Sequence, residues 1–195
     1  MLQPKRLAGK FSIACAVLLA ALFAAAVGAQ TVPAATRPLH SLWLGAQYSN
    51  LNPGFPNGSS QRLWGVGGFA GYGLTPHLSA EANARFLRFD GFYGETEDTY
   101  LGGLRYTVGR FARLQPFGQL LVGVGAIHYP FKIGSGTYFA LAPAAGADYR
   151  LGQRWALRCE YEYQLWPGSP HVANQPEHTI QPAGFHIGVA YRLLR

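Results

Sequence analysis

Trp155-Ala156-Leu157-Arg158-Cys159-Glu160-Tyr161-Glu162-Tyr163-Gln164-Leu165 is the stretch that decides the fold. Trp155, Leu157, Cys159, Tyr161, Tyr163 and Leu165 fall on one parity, large and uncharged. Ala156, Arg158, Glu160, Glu162 and Gln164 fall on the other, small or charged. A period of two puts successive side chains on opposite faces of a β-strand. A strand with one wholly apolar face and one charged face separates two different environments.

The same logic recurs outward from this segment. Ala80, Ala82, Ala84 and Phe86 oppose Glu81, Asn83 and Arg85; Phe185, Ile187, Val189, Tyr191 and Leu193 oppose His186, Gly188, Ala190 and Arg192. Softer versions carry Gly65, Gly67 and Gly71, or Gly123 and Gly125, on the second face. No helical period intervenes from His40 onward. Eight segments are predicted, at about 41–50, 63–73, 78–89, 100–110, 117–128, 138–150, 155–166 and 184–193. Ten-residue alternation broken by turn residues is the signature of transmembrane β-strands. The expected fold is all-β, an eight-stranded antiparallel up-and-down transmembrane β-barrel over 40–195.

Alternation alone does not tell a membrane barrel from a soluble one. Size does: glycine, alanine and charged residues suit a cramped eight-stranded lumen, whereas Trp and Tyr are expected to be too large for it. The large face is free of charge, as lipid requires, because a midplane Arg or Lys costs about 2–4 kcal/mol. Tyr72, Tyr149, Trp155 and Tyr191 fall near one end of their strands, and Tyr48, Trp64, Phe139, Tyr163 and Phe185 near the other. Two aromatic girdles at two interfaces are expected from that spacing. Pro143 interrupts the sixth segment and requires a bulge or a missing ladder bond there.

The connections alternate in length. Leu74–His77, Phe111–Pro116 and Leu151–Arg154 are short; Leu51–Arg62, Asp90–Thr99, Tyr129–Thr137 and Pro167–Ala183 are longer and rich in Gly, Pro, Asn and Ser. The short ones are expected on the periplasmic side and the long ones outside the cell.

The N-terminus supplies the route. Lys5, Arg6 and Lys10 precede an apolar run from Phe11 to Val27 that ends in Val27-Gly28-Ala29. This is the tripartite pattern of a cleaved secretory signal over 1–29, cut between Ala29 and Gln30, with 30–39 as a periplasmic lead-in. An uncleaved anchor, and a lipoprotein through Cys15, fit the residues less well. Three of the 16 basic residues lie in the signal, leaving 13 against nine acidic ones and a net charge of +4. No basic run interleaves with aromatics, so nucleic-acid binding has no support. Only Cys159 lies beyond the signal, which rules out a disulfide-stapled fold. Lys132 is the single lysine beyond residue 29, unlike the lysine-studded surface of a soluble domain.

His186-x-Gly188-x-x-Tyr191-x-Leu193 resembles the C-terminal assembly signal of outer-membrane proteins. The chain beyond the signal peptide resembles the small eight-stranded group that includes the OmpA membrane domain, OmpX and the opacity proteins. The resemblance implies insertion by the barrel-assembly machinery after escort by periplasmic chaperones, location in the outer membrane against its lipid, and a solvated but largely filled lumen. It implies no single activity, because this fold hosts anchors, adhesins, porin-like channels and a few lipid-modifying enzymes.

The expected lumen network is Glu81, Arg85, Arg105, Asp148, Arg150, Arg158, Glu160, Glu162 and Arg192, a filler of paired charges more than a pore lining or gate. Glu160 and Glu162 are expected to pair with Arg150 and Arg192 on the flanking strands. A lipid A-modifying enzyme would need Ser, His and an acid at one rim; Ser169, His171, Glu177 and His178 supply the types without a motif. The same two histidines lack a close third metal ligand. Gly65-Val66-Gly67-Gly68-Phe69-Ala70-Gly71 misses the dinucleotide spacing. No catalytic residue, cofactor or metal is therefore assigned. The expected role is structural or surface-interacting, with a narrow channel and a lipid A-modifying enzyme as alternatives and the extracellular partner open.

Overall fold

The computed structural model describes residues 40–54, 62–89, 94–128, 134–169 and 180–194. The expected signal peptide over 1–29, its expected cleavage point, the expected lead-in over 30–39, Lys132 and the loop residues His171, Glu177 and His178 lie outside them. The described chain is a closed barrel of eight strands: β1 (Leu42–Asn52), β2 (Leu63–Gly73), β3 (Leu78–Phe89), β4 (Thr96–Thr107), β5 (Leu114–His128), β6 (Ser135–Arg150), β7 (Trp155–Tyr163) and β8 (Ala183–Arg192). Each strand pairs antiparallel with its sequence neighbours, and β1 pairs with β8 to close the wall.

Closure satisfies every sheet edge, which lipid demands because it offers no hydrogen-bond partners. The turns at 74–77, 108–113 and 151–154 gather at one end, the short-turn end. The long connections leave from the other. β4 begins at Thr96, four residues before the sequence suggested. Thr96 to Thr99 are polar on both parities and read as loop, yet Glu97 and Thr99 turn inward and are buried. The one recorded register shift in β2–β3 falls between Trp64 and Gly65 and leaves Arg88 as the extra residue. Pro143 needs no bulge towards β5, where its pairing with Leu120 continues the register. On the other side the β6–β7 ladder stops at Ala144 and resumes as the Leu141–Leu165 bridge, so the proline, which has no N–H, sits in a gap where a ladder bond is missing.

Leu44, Val66, Leu104, Leu120, Val122, Leu157, Ile187 and Val189 form an exposed apolar outer wall. Aromatic contacts band both ends: Trp155 lies 4.7 Å from Tyr191 at the short-turn end, and at the other Trp64 stacks on Phe89 at 4.5 Å and Tyr161 meets Phe185 at 4.8 Å. The outer wall is not charge-free to its rim. Arg88 and Asp98 point outward at the long-loop end and pair at 2.6 Å.

The interior corrects one expectation. Trp43, Trp166, Phe69 and Phe117 are all buried inside the barrel. They fit because glycines make room. Trp43 occupies the space a side chain at Gly71 would need, Phe69 that of Gly45, and Trp166 that of Gly125, while Phe117 crowds Gly146. Trp43 with Gly71 and Phe69 with Gly45 are direct cross-strand partners. A ring over a glycine fills the lumen without widening it.

Candidate functional site

The candidate site is the barrel interior, since the inward parity of every strand converges there. Its middle layer is a closed ring of four charges. Arg105 on β4 contacts Glu81 on β3 at 3.3 Å and Asp148 on β6 at 2.5 Å. Arg158 on β7 contacts the same two carboxylates, Glu81 at 2.6 Å and Asp148 at 3.1 Å. All four are buried. Two guanidiniums and two carboxylates balance, so each ion is held by partners in place of the water it lost. Phe117 lies 3.5 Å from the Arg105 guanidinium carbon and Phe69 lies 3.9 Å from that of Arg158. Rings therefore cover the cation faces that the carboxylates leave open. The four residues come from β3, β4, β6 and β7, so the ring bridges opposite walls.

A second layer lies towards the long-loop end. Arg85 donates Nε to Thr99 at 3.1 Å, pairs with Glu162 at 2.6 Å and donates to His186 Nε2 at 2.8 Å. A guanidinium only donates, so Nε2 accepts and the ring proton is on Nδ1, which donates to Ser49 Oγ at 2.8 Å. Gln119 donates to Glu160 and Gln164 to Glu162, at 2.9 and 2.7 Å. Above them Trp166 donates to Gln164 at 2.6 Å and packs with Leu101, Leu121, Ile127 and Ile180, an apolar cap inside the barrel. Just beyond β4, burial pushes the Glu95 carboxyl up to about 7.

Of the nine charged residues that alternation directs inward, Glu81, Arg85, Arg105, Asp148, Arg158, Glu160 and Glu162 are buried in these two layers. Arg150 and Arg192 are half-buried at the short-turn end, beside Trp43, Gln115 and Arg154. The pairing expected for Glu160 and Glu162 is therefore corrected. Glu160 faces Gly146 across the ladder while Arg150 faces Ala156. Four residues of strand separate them along the wall, roughly 13 Å at 3.3 Å per residue. The carboxylates instead meet Gln119 and, across the lumen, Arg85.

His186 and Gly188 of the C-terminal motif face inward, Tyr191 stands in the short-turn girdle, and Leu193 lies past β8 with its N–H donated to Leu42. Ser49, His186, Glu97, Gln119, Gln164 and the four interior aromatics extend the network beyond the sequence reading. Parity carried the signal for Glu97, which shares the Arg105 face of β4.

Ser49, His186 and Glu162 have the types of a nucleophile, base and acid, but not their arrangement. The Glu162 oxygen is 4.0 Å from His186 Nε2, and Arg85 takes the hydrogen bond that would orient the base. Ser49, His186 and Glu162 are each fully enclosed. Ser169 accepts a hydrogen bond from the Ile180 N–H at 2.9 Å, a loop-fastening contact.

A family model described as outer membrane protein beta-barrel domain matches residues 16–192. No curated protein sequence matches the chain. Among solved structures, the N-terminal β-barrel domain of Pseudomonas aeruginosa OprF is similar over 80% of this chain and 100% of its own, with a TM-score of 0.60 at 13% identity. Neisserial surface protein A is similar over 78% and 96%, with a TM-score of 0.57 at 11% identity. Pseudomonas aeruginosa OprG is similar over 83% and 99%, with a TM-score of 0.53 at 13% identity. At such identities the likeness is one of fold.

Proposed function

The chain belongs to the outer-membrane protein β-barrel domain family, and on that footing we propose that it is an exported, integral membrane barrel with a closed lumen that presents its long connections to the cell exterior. The supporting observation is the Glu81–Arg105–Asp148–Arg158 ring, which joins opposite walls with aromatic rings packed on its cations. An interior bolted at mid-height and capped by Trp166 favours a structural or surface-interaction role over solute passage. Loops on a rigid wall are where recognition residues gather.

In this reading residues 1–29 direct export and are removed, periplasmic chaperones deliver the chain, and the assembly machinery reads the His186-to-Leu193 strand. The test is conductance in planar bilayers. The purified barrel is expected to give no stable channel events, and an Arg158→Ala, Glu81→Ala pair to give small ones. Steady conductance by the unmodified barrel refutes the closed-lumen reading. N-terminal sequencing of the outer-membrane form is expected to begin at Gln30.

A further inference from the structure

Five carboxylates and three guanidiniums on the strands are buried inside the barrel among the described residues: Glu81, Glu97, Asp148, Glu160 and Glu162 against Arg85, Arg105 and Arg158. The middle ring takes two of each sign and is balanced. The excess therefore sits in the long-loop half, where Glu97, Glu160 and Glu162 share Arg85. Arg158 also reaches Glu160 electrostatically, but its hydrogen bonds go to Glu81 and Asp148. His186 is neutral in its present hydrogen bonds. Buried negative charge of this kind is relieved by a bound proton or by a counter-cation.

The geometry shows where one fits. Glu160 and His186 are direct cross-strand partners on β7 and β8, and Glu162 is the next inward residue along β7. One ligand atom from each of Glu160, Glu162 and His186 lies within 4.8 Å of the others. Donors at about 2.0–2.2 Å from a tetrahedral ion stand roughly 3.3–3.6 Å apart, a closure that requires Arg85, now bonded to both Glu162 and His186, to move aside. A second observation points the same way. Oε2 of Glu160, Oε2 of Glu162 and both carboxylate oxygens of Glu97 are buried without a hydrogen-bond partner. The outer supports of a metal site are also present: Ser49 holds His186 Nδ1–H, Gln119 holds Glu160 and Gln164 holds Glu162.

We propose that Glu160, Glu162 and His186 bind one divalent metal ion of the zinc type inside the barrel, with Arg85 as the counter-ion that yields His186 Nε2 and turns to Glu97. One imidazole nitrogen and two carboxylates form an N/O donor set suited to zinc and its neighbours more than to calcium, which takes six to eight oxygens. Arg85 has a destination, since Glu97 lies within its electrostatic reach and has no hydrogen-bond partner of its own. The ion adds two positive charges where the ionised carboxylates of the strands exceed the guanidiniums by two. No bond is made or broken beyond coordination.

The experiment uses the full barrel, stripped with chelator and refolded in detergent with and without Zn2+, its folding checked by heat-modifiable migration. Calorimetry is expected to show one equivalent of Zn2+ bound at micromolar Kd or tighter, and Co2+ to give visible absorption bands. His186→Gln and Glu160→Gln are each expected to weaken binding tenfold or more, and Arg85→Gln to tighten it. No saturable binding by the folded wild type overturns the proposal, as does binding unchanged in a folded His186→Gln barrel. If the variants do not fold, X-ray absorption of the wild-type Zn2+ complex decides. One imidazole per ion supports the site, and two place the ion among other histidines and overturn it.

Discussion

Trp43 on β1 and Gly71 on β2 face each other in register, and the indole fills the space a side chain at 71 would need. The pair is how an eight-stranded lumen admits its largest side chain. Gly71→Ala is expected to destabilise the barrel by about 1–3 kcal/mol, the cost of overpacking a filled interior. Gly102→Ala, whose new methyl would meet nothing closer than 3.9 Å, is the control and should change little. Urea unfolding in lipid vesicles reads both.

Arg158 holds Glu81 and Asp148 together from β7. Arg158→Met removes one cation and leaves two buried carboxylates with Arg105 alone. A loss of about 3–5 kcal/mol is expected, as when one partner of a buried pair is removed. Adding Glu81→Gln restores neutrality and should recover part of that loss. The same unfolding measurement tests the pair, and additive losses would show that the ring does not act as a unit.

Glu95 gives the barrel a pH response. Burial raises its folded value to about 7 from an ordinary carboxyl value of 4.5. Between those values the folded state holds a proton that the unfolded chain has released. Stability contributed by Glu95 is thus present at low pH, falls as pH rises towards 7, and is flat above it. The difference between pH 5 and pH 8 is about 2–3 kcal/mol by the linkage constant. Glu95→Gln should abolish that difference, measured as the shift of the unfolding midpoint between the two pH values.

Val122 is exposed in the middle of β5 on the outer wall. Val122→Arg is expected to cost about 2–4 kcal/mol in a lipid bilayer, where a midplane guanidinium is not solvated. The penalty should shrink in short-chain detergent micelles, which water penetrates. Equal penalties in both media would argue against a lipid-facing position.

The strands were legible because alternation is a local property. Trp155 to Tyr163 announces its two faces without reference to the rest of the chain. The pairing inside the lumen is not local. Glu81 and Arg158 are 77 residues apart, Arg105 and Asp148 are 43, and neither pair lies on neighbouring strands. Parity says that a residue faces inward, not at which height or which wall it meets a partner. Strand order alone therefore points Glu160 and Glu162 to Arg150 and Arg192, the nearest arginines on the flanking strands. Size was misleading too: Trp43 shares the parity of Gln47 and Ser49, and Phe69 that of Gly67 and Gly71, but a judgement of lumen width made residue by residue omits the glycine opposite. The Glu160–Glu162–His186 cluster is hidden in the sequence for a related reason, since cross-strand register and not close spacing along the chain brings its donors together.

The seam between β1 and β8 runs from Trp43 opposite Arg192 to Asn52 opposite Ala183. It joins the first strand of the wall to the last, so no ribosome can finish it early. Until β8 has been synthesised and delivered, β1 keeps a bare row of amides and carbonyls that any other extended chain could occupy, including β8 of a second copy. Closure is the slowest kind of contact, one that links distant stretches of sequence. The molecule is therefore most vulnerable in transit, while its ends are apart, and most secure once they have met.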